Sequence, residues 1–271
     1  VPIETADGVT GMKLSIVRGE GIGIGSPGTI DAKQGVILYS NNFGWENVPI
    51  VEELKKHLDT RIEIANDADA AALGEVCAGA AEGAENAVLL TLGTGVGSGV
   101  ILDKKIFRGA MPGGCELGHL SIRYDGIRCT CGRKGCLEAY ASASALLRIA
   151  REKAAEHPES IMNEMCGNDL EQMNGKIPFD AAKAGDEAGM ETVKEYEGYL
   201  ACGIANVINT FRPEKVILGG GVAAQKDNLT APLKDLVKDM CFGGSHGHIA
   251  DIVTSVLGND AGIIGAANLV V

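Results

Sequence analysis

Residues 114–140 read G-C-E-L-G-H-L-S-I-R-Y-D-G-I-R-C-T-C-G-R-K-G-C-L-E-A-Y, and the rest of the chain is organised around them. Cys129, Cys131 and Cys136 fall within eight residues, and His119 stands ten residues before the first of them. Three thiolates and one imidazole form a donor set that suits tetrahedral zinc. Gly132 and Gly135 allow the tight turns that bring such closely spaced sulfurs onto one ion. With all four positions filled by protein, no place remains for an activated water, so the expected zinc is structural. The alternatives are a disulfide knot, which needs an oxidising compartment, or unrelated buried thiols. Glu116 lies three residues before one ligand and Glu138 two after another. A knot that fixes His119 and Cys136 therefore also fixes two carboxylates, and rigidly held acidic acceptors are what a polyol pocket needs.

At 271 residues the chain is long enough for one large domain or for two lobes with a real core. Its apolar content of 45% and charged content of 22% are those of a soluble globular protein. The net charge of −12 argues against a nucleic-acid-binding surface. No run of about 18 apolar residues occurs, so no membrane span is expected. The 38 glycines cluster without a period, which points to tight turns near ligands. Outside the zinc stretch the cysteines are scattered and expected to be reduced, as in a cytoplasmic protein.

Two junctions flank the zinc stretch. The strand R-I-E-I-A runs into N-D-A-D-A-A-A-L-G-E, which places Asn66 and Asp67 at the C-terminal end of a strand, where α/β sheets hold ligands. Either residue can instead cap the helix expected over 68–81. Farther on, N-A-V-L-L-T-L-G-T-G-V-G-S-G-V-I-L reads as strand, glycine turn and strand, and its backbone N–H groups and Thr94 hydroxyl can hold a phosphate. It matches neither the P-loop nor the dinucleotide fingerprint, and a tight hairpin without a ligand is the other reading.

Elsewhere the pattern predicts a short strand over 21–25 with a turn at Ser26, Pro27 and Gly28, and an amphipathic helix beginning near Pro49. Residues 1–11 read as an edge or loop segment. One long helix is expected over 138–156, another over 187–211 and a third near 231–240. A strand enters the turn Gly219, Gly220 and Gly221, whose close backbone approach suits a flat ring such as adenine, or simply a helix start. A last strand, I-V-T-S-V, and a helix from Asp260 close the chain. Strands alternating with helices, with strand pairs near the glycine turns, predict an α/β architecture with mixed sheets.

The motifs G-I-G-S-P-G, I-A-N-D-A-D-A-A-A-L-G-E, T-L-G-T-G-V-G-S-G, E-L-G-H, C-T-C-G-R-K-G-C-L-E and L-G-G-G-V together resemble the ROK family of sugar kinases and sugar-sensing repressors. Within it, the glucose-phosphorylating members are the most similar. The resemblance implies a two-lobed actin-like ATPase (ribonuclease H-like) fold. Residues 1–71, completed by 258–271, would form the small lobe and 72–257 the large lobe. It implies Asp67 as the catalytic base and Gly28, Asn66, Asp67, Glu116, His119 and Glu138 as sugar-binding residues. Gly93, Thr94 and Gly95 would hold phosphate, and Gly219, Gly220 and Gly221 the adenosine. The cofactors implied are ATP, Mg²⁺ and a structural Zn²⁺ on His119, Cys129, Cys131 and Cys136, in a cytoplasmic homodimer or homotetramer that takes a hexose. The N-N-F-G-W segment over 41–45 favours glucose. Fructose, mannose and N-acetylmannosamine kinases remain alternatives, as does a non-enzymatic sugar sensor. The family's D-x-G-G-T turn is not found, and a segment carrying it is expected upstream, with a few residues also missing near Gly11. Asp69 stands where Asn is commoner, and Cys115 where Gly is commoner.

Overall fold

The computed structural model describes Lys13–Val17 and residues 21–247 and 249–271. The readings made over residues 1–11 lie outside the described residues. The chain begins with β1 (Lys13–Val17), β2 (Gly21–Ser26), β3 (Thr29–Asp31), β4 (Val36–Ser40), β5 (Trp45–Val48), α1 (Ile50–Lys55), β6 (Ile62–Asn66) and α2 (Asp67–Ala78). Next come β7 (Ala87–Leu92), β8 (Val96–Leu102), β9 (Lys105–Ile106), α3 (Glu138–Ala141), α4 (Ala143–Glu156), α5 (Ile161–Met165) and α6 (Ile177–Lys183). It ends with α7 (Glu187–Phe211), β10 (Lys215–Gly219), α8 (Asp227–Met240), β11 (Asp251–Thr254) and α9 (Asp260–Asn268). Among the described residues no helix is long and apolar enough to cross a membrane.

A five-stranded sheet in the order β11-β10-β7-β8-β9 carries the larger core. Its strands β11, β10 and β7 run parallel, and β8 and β9 are antiparallel additions. Alternation along β7 sends Val88, Leu90 and Leu92 to one face, where Leu146, Tyr196, Leu200 and Ile204 of α4 and α7 cover them. Leu89 goes to the other face, against Ala72, Leu73 and Val76 of α2. With both faces covered, the strand reads as a continuous apolar run. A second sheet, β1-β2-β6, and an antiparallel meander, β3-β4-β5, share a core of Ile22, Ile24, Ile37, Ile62 and Ile64.

The α9 helix lies against β2 and α2 with backbones in contact. A Cβ placed on Gly265 would fall on the Ala70 carbonyl, one on Gly74 on the Ala261 carbonyl, and one on Gly23 on the Ala266 carbonyl. These glycines are required by close approach.

The strand–turn–strand, the helix over 187–211, the start near Pro49 and the mixed α/β character agree with the sequence. Four details differ. The helix expected over 138–156 is two helices broken at Ser142, which is extended and whose Oγ accepts from Ala145 N at 3.1 Å. The break lets Ala143 N reach the Gly93 carbonyl at 2.8 Å. The α2 helix stops at Ala78 and not at Ala81, because Glu75 accepts from Ala80 N and pulls the chain out of helical register. Likewise α8 starts at Asp227, earlier than 231, with Pro232 inside its first turns. The β3-β4-β5 meander and the β1 strand were not anticipated.

Candidate active site and metal centre

Asn66 closes β6 and caps α2. Its Oδ1 accepts from Ala68 N at 2.8 Å and Asp69 N at 3.4 Å, and its Nδ2 donates to the Gly28 carbonyl at 3.1 Å. Asn66 takes the capping role, and the Asp67 Oδ1 accepts from Ala68 N at 3.0 Å. Burial raises the Asp67 pKa above the usual carboxylate value, partly offset by backbone hydrogen bonds. A carboxylate so placed is a better proton acceptor than a solvated one.

Asp67 shares a cavity of about 400 Å³ with Asn66, Asp69, Ser98, Glu116 and Asn259. Ser98 fixes the Glu116 segment: its hydroxyl donates to the Cys115 carbonyl and accepts from Leu117 N at 2.9 Å. Gly118 follows because its Cα lies against the Val96 carbonyl, leaving no room for a side chain. The Glu116 pKa is raised first by burial, with His119 opposing and Glu138 and Asp67 adding to the rise. Asp69 is the most perturbed of the three acids. Only 4% exposed, it is pushed up to about 7 by burial, with Arg108 lowering and Glu116 and Asp67 raising it. Its Oδ1 has no hydrogen-bond partner. Among the described residues lining this cavity none is cationic.

A second cavity, of about 420 Å³, adjoins the first through Ala71, Thr91, Gly258 and Asn259, and Gly219, Gly220 and Gly221 form part of its wall. Gly220 has φ of 83° and sits against the Leu92 backbone. Gly93, Thr94 and Gly95 form the tight β7–β8 turn, with Gly93 N bonded to the Gly95 carbonyl at 3.0 Å and the Thr94 carbonyl accepting from Ser144 Oγ at 3.0 Å.

The zinc-type donors converge. Ligand atoms of His119, Cys129, Cys131 and Cys136 all lie within 4.8 Å of one another. The Cys131 and Cys136 sulfurs are 3.7 Å apart, and Cys129 Sγ is 3.8 Å from His119 Nδ1. Ligands about 2.3 Å from a tetrahedral ion stand about 3.8 Å from each other, so these two pairs have that spacing and the chemistry of the four donors fits such an ion. The cysteines are free thiols, so the disulfide knot is not formed.

Glu138 joins this knot to the phosphate-type turn. Its Oε2 accepts from Val96 N at 3.0 Å, and its Oε1 from Thr130 Oγ1 at 3.2 Å and Cys129 Sγ at 3.3 Å. Asn66, Asp67 and Glu116 thus line one cavity, Gly28 touches it through Asn66, and His119 and Glu138 sit behind Glu116 without lining it. Sequence reasoning passed over Ser98, Asn259 and Asp69 as site residues. The one available signal was Asp69's departure from the family pattern.

A three-sheet α/β chain with a cleft of this kind belongs to the actin-like ATPase class of two-lobed folds. The ROK family profile matches residues 9–271, and the chain belongs to the ROK family. It is 40% identical over 250 residues to a glucokinase of Thermotoga maritima, covering 92% of this chain and 78% of that one. A glucokinase of Halalkalibacterium halodurans is 38% identical over 258 residues, covering 92% and 76%. The crystal structure of a ROK family glucokinase from Streptomyces griseus in complex with glucose and AMPPNP superposes with a TM-score of 0.80 at 33% identity. The match covers 93% of this chain and 81% of that one.

Proposed function

We propose that this protein transfers the γ-phosphoryl group of ATP to a hexose, with glucose as the preferred acceptor. The observation that carries this reading is the cavity that Asp67 and Glu116 line together and that opens into a glycine-walled neighbour. Asp67 takes the proton of the sugar 6-hydroxyl as that oxygen bonds to the γ-phosphorus, and the bond from phosphorus to the β,γ-bridging oxygen breaks to release ADP. Gly28, Asn66, Glu116, His119 and Glu138 bind the sugar. Charged acceptors suit neutral hydroxyl donors because such hydrogen bonds are about twice as strong as neutral ones.

Gly93, Thr94 and Gly95 hold phosphate, and Gly219, Gly220 and Gly221 the adenosine. Mg²⁺, when bound with ATP, offsets the phosphate charge. His119, Cys129, Cys131 and Cys136 would hold a structural Zn²⁺ through His119 Nδ1, leaving Nε2 for the ligand. In this reading residues 1–71 with 258–271 make one lobe and 72–257 the other, in a cytoplasmic homodimer or homotetramer.

The test is ADP release by the purified protein, measured by a coupled assay over glucose, mannose, fructose and N-acetylmannosamine. Glucose is expected to give the highest kcat/KM. Sugar binding without sugar-dependent ADP release would replace the kinase by a sensor.

A further inference from the structure

The two cavities form one trough, and its walls are acidic: Asp67, Asp69 and Glu116 line one part and Glu75 the other. Among the described residues that line the trough Lys226 is the single cationic one. No described carboxylate pairs with its ammonium, and Asp227, the next residue, does not line the trough. A nucleoside triphosphate is a polyanion, so a trough of this charge repels it unless a cation is supplied.

The backbone of Lys226 gives a second, independent sign. It has φ of 50° and ψ of −125°, in the half of conformational space that favours glycine and penalises a side chain. The turn itself is needed. It ends the short 3-10 turn over Gly221–Gln225 and starts α8, with Lys226 N bonded to the Ala223 carbonyl at 3.0 Å. Leu229 N and Thr230 N both donate to the Lys226 carbonyl at 2.9 Å. Those three bonds involve only the backbone, and a glycine would make them without strain. A lysine held there against its backbone preference, at the wall of a pocket that lacks any other described cation, is explained by what its ammonium does.

We propose that Lys226 is a nucleotide-binding residue whose ammonium contacts the phosphates of a nucleoside triphosphate lying on the Gly219–Gly221 turn. The inference rests on the nucleotide reading of that turn. It adds a charge-specific contact that neither the glycine turns nor the sugar-binding acids supply.

Titration calorimetry with AMPPNP and with adenosine, on the wild type, Lys226→Gln and Lys226→Gly, decides it. Both variants are expected to bind AMPPNP about three- to tenfold more weakly, as for one charge-assisted contact that is partly exposed. Adenosine affinity should change by less than about twofold, and the loss for AMPPNP should shrink in about 1 M salt, where charges are screened. Lys226→Gly, free of the strained backbone, is expected to raise Tm by about 2–4 °C, which separates lost affinity from misfolding. Unchanged AMPPNP affinity in both variants, or an equal loss for adenosine, overturns the proposal. A wild type that binds neither ligand overturns the nucleotide reading itself, and this inference with it.

Discussion

The two ends of α2 carry acids in opposite conditions. At the N-terminal end, Asp67 accepts only from the backbone at its own position and the next, and Asp69 leaves an oxygen with no partner. Two turns on, Glu75 is fully buried and saturated: Ser255 Oγ at 2.7 Å, Leu257 N at 3.0 Å, Val256 N at 3.4 Å and Ala80 N at 2.7 Å all donate to it. One helix thus holds a scaffold carboxylate and a chemical one, and the difference is the number of donors each is given. An under-satisfied carboxylate in a buried place gains by taking a proton.

Four substitutions or treatments probe this contrast. Asp67→Asn is expected to lower kcat by about 10²–10⁴-fold, the usual loss of a general base, with the sugar dissociation constant nearly unchanged in calorimetry. A variant with near-normal kcat would reduce Asp67 to a helix-start residue and erase the difference between the two ends. Glu75→Ala leaves four donors without their acceptor and should cost about 3 kcal/mol. It is read as a Tm drop of about 6–12 °C and as a KM rise for ATP larger than that for sugar, because residues 255–258 border the nucleotide-side cavity. If melting is unmoved, Glu75 is no scaffold.

The third probe moves to the wall facing Asp67. One zinc per chain is expected by elemental analysis, and chelation or Cys129→Ser should weaken glucose binding about tenfold, the lower end of the effect of disturbed ligand support. Stripped protein with wild-type sugar affinity would uncouple Glu116 from the knot. The smallest effect is expected from Asp69→Asn. An acid whose folded pKa rises to about 7 binds more protons folded than unfolded between its ordinary value and that point. Its burden on stability therefore grows as pH climbs through that window. The variant should melt about 3–6 °C above wild type at pH 8 and no higher near pH 4. A pH-independent offset between the two proteins would remove Asp69 as the titrating group.

What could be read from the sequence was what is local. The four metal donors lie within one short stretch, and Asn66 and Asp67 sit side by side where strand meets helix. The α7 helix shows its buried stripe over its whole length, and its expected bounds match. What could not be read depends on partners far along the chain. Glu75 looks like an ordinary helix glutamate until Ser255, 180 residues on, is brought to it. The Ser142 break is invisible in A-S-A-S-A, which suits a helix throughout. It exists because Ala143 N and Ser144 Oγ bind the β7–β8 turn. The β3-β4-β5 meander was missed despite the β-branched run V-I-L-Y-S, a strand signal that was there to be used.

The bare contact between α2 and α9 has a consequence for how accurately this site is built. Asp67 begins α2, while Gly258, Asn259 and Gly262, at and before the start of α9, close the same cavity. Where two helices meet through interlocking side chains, their spacing wanders as rotamers change. Here it is gauged by carbonyl against Cα, the stiffest ruler a polypeptide owns. The tolerance of the cleft is set at Gly74 and Gly265 by the absence of a single carbon on each. One methyl at either place would act as a shim, spreading the helices and misaligning a proton acceptor it never touches.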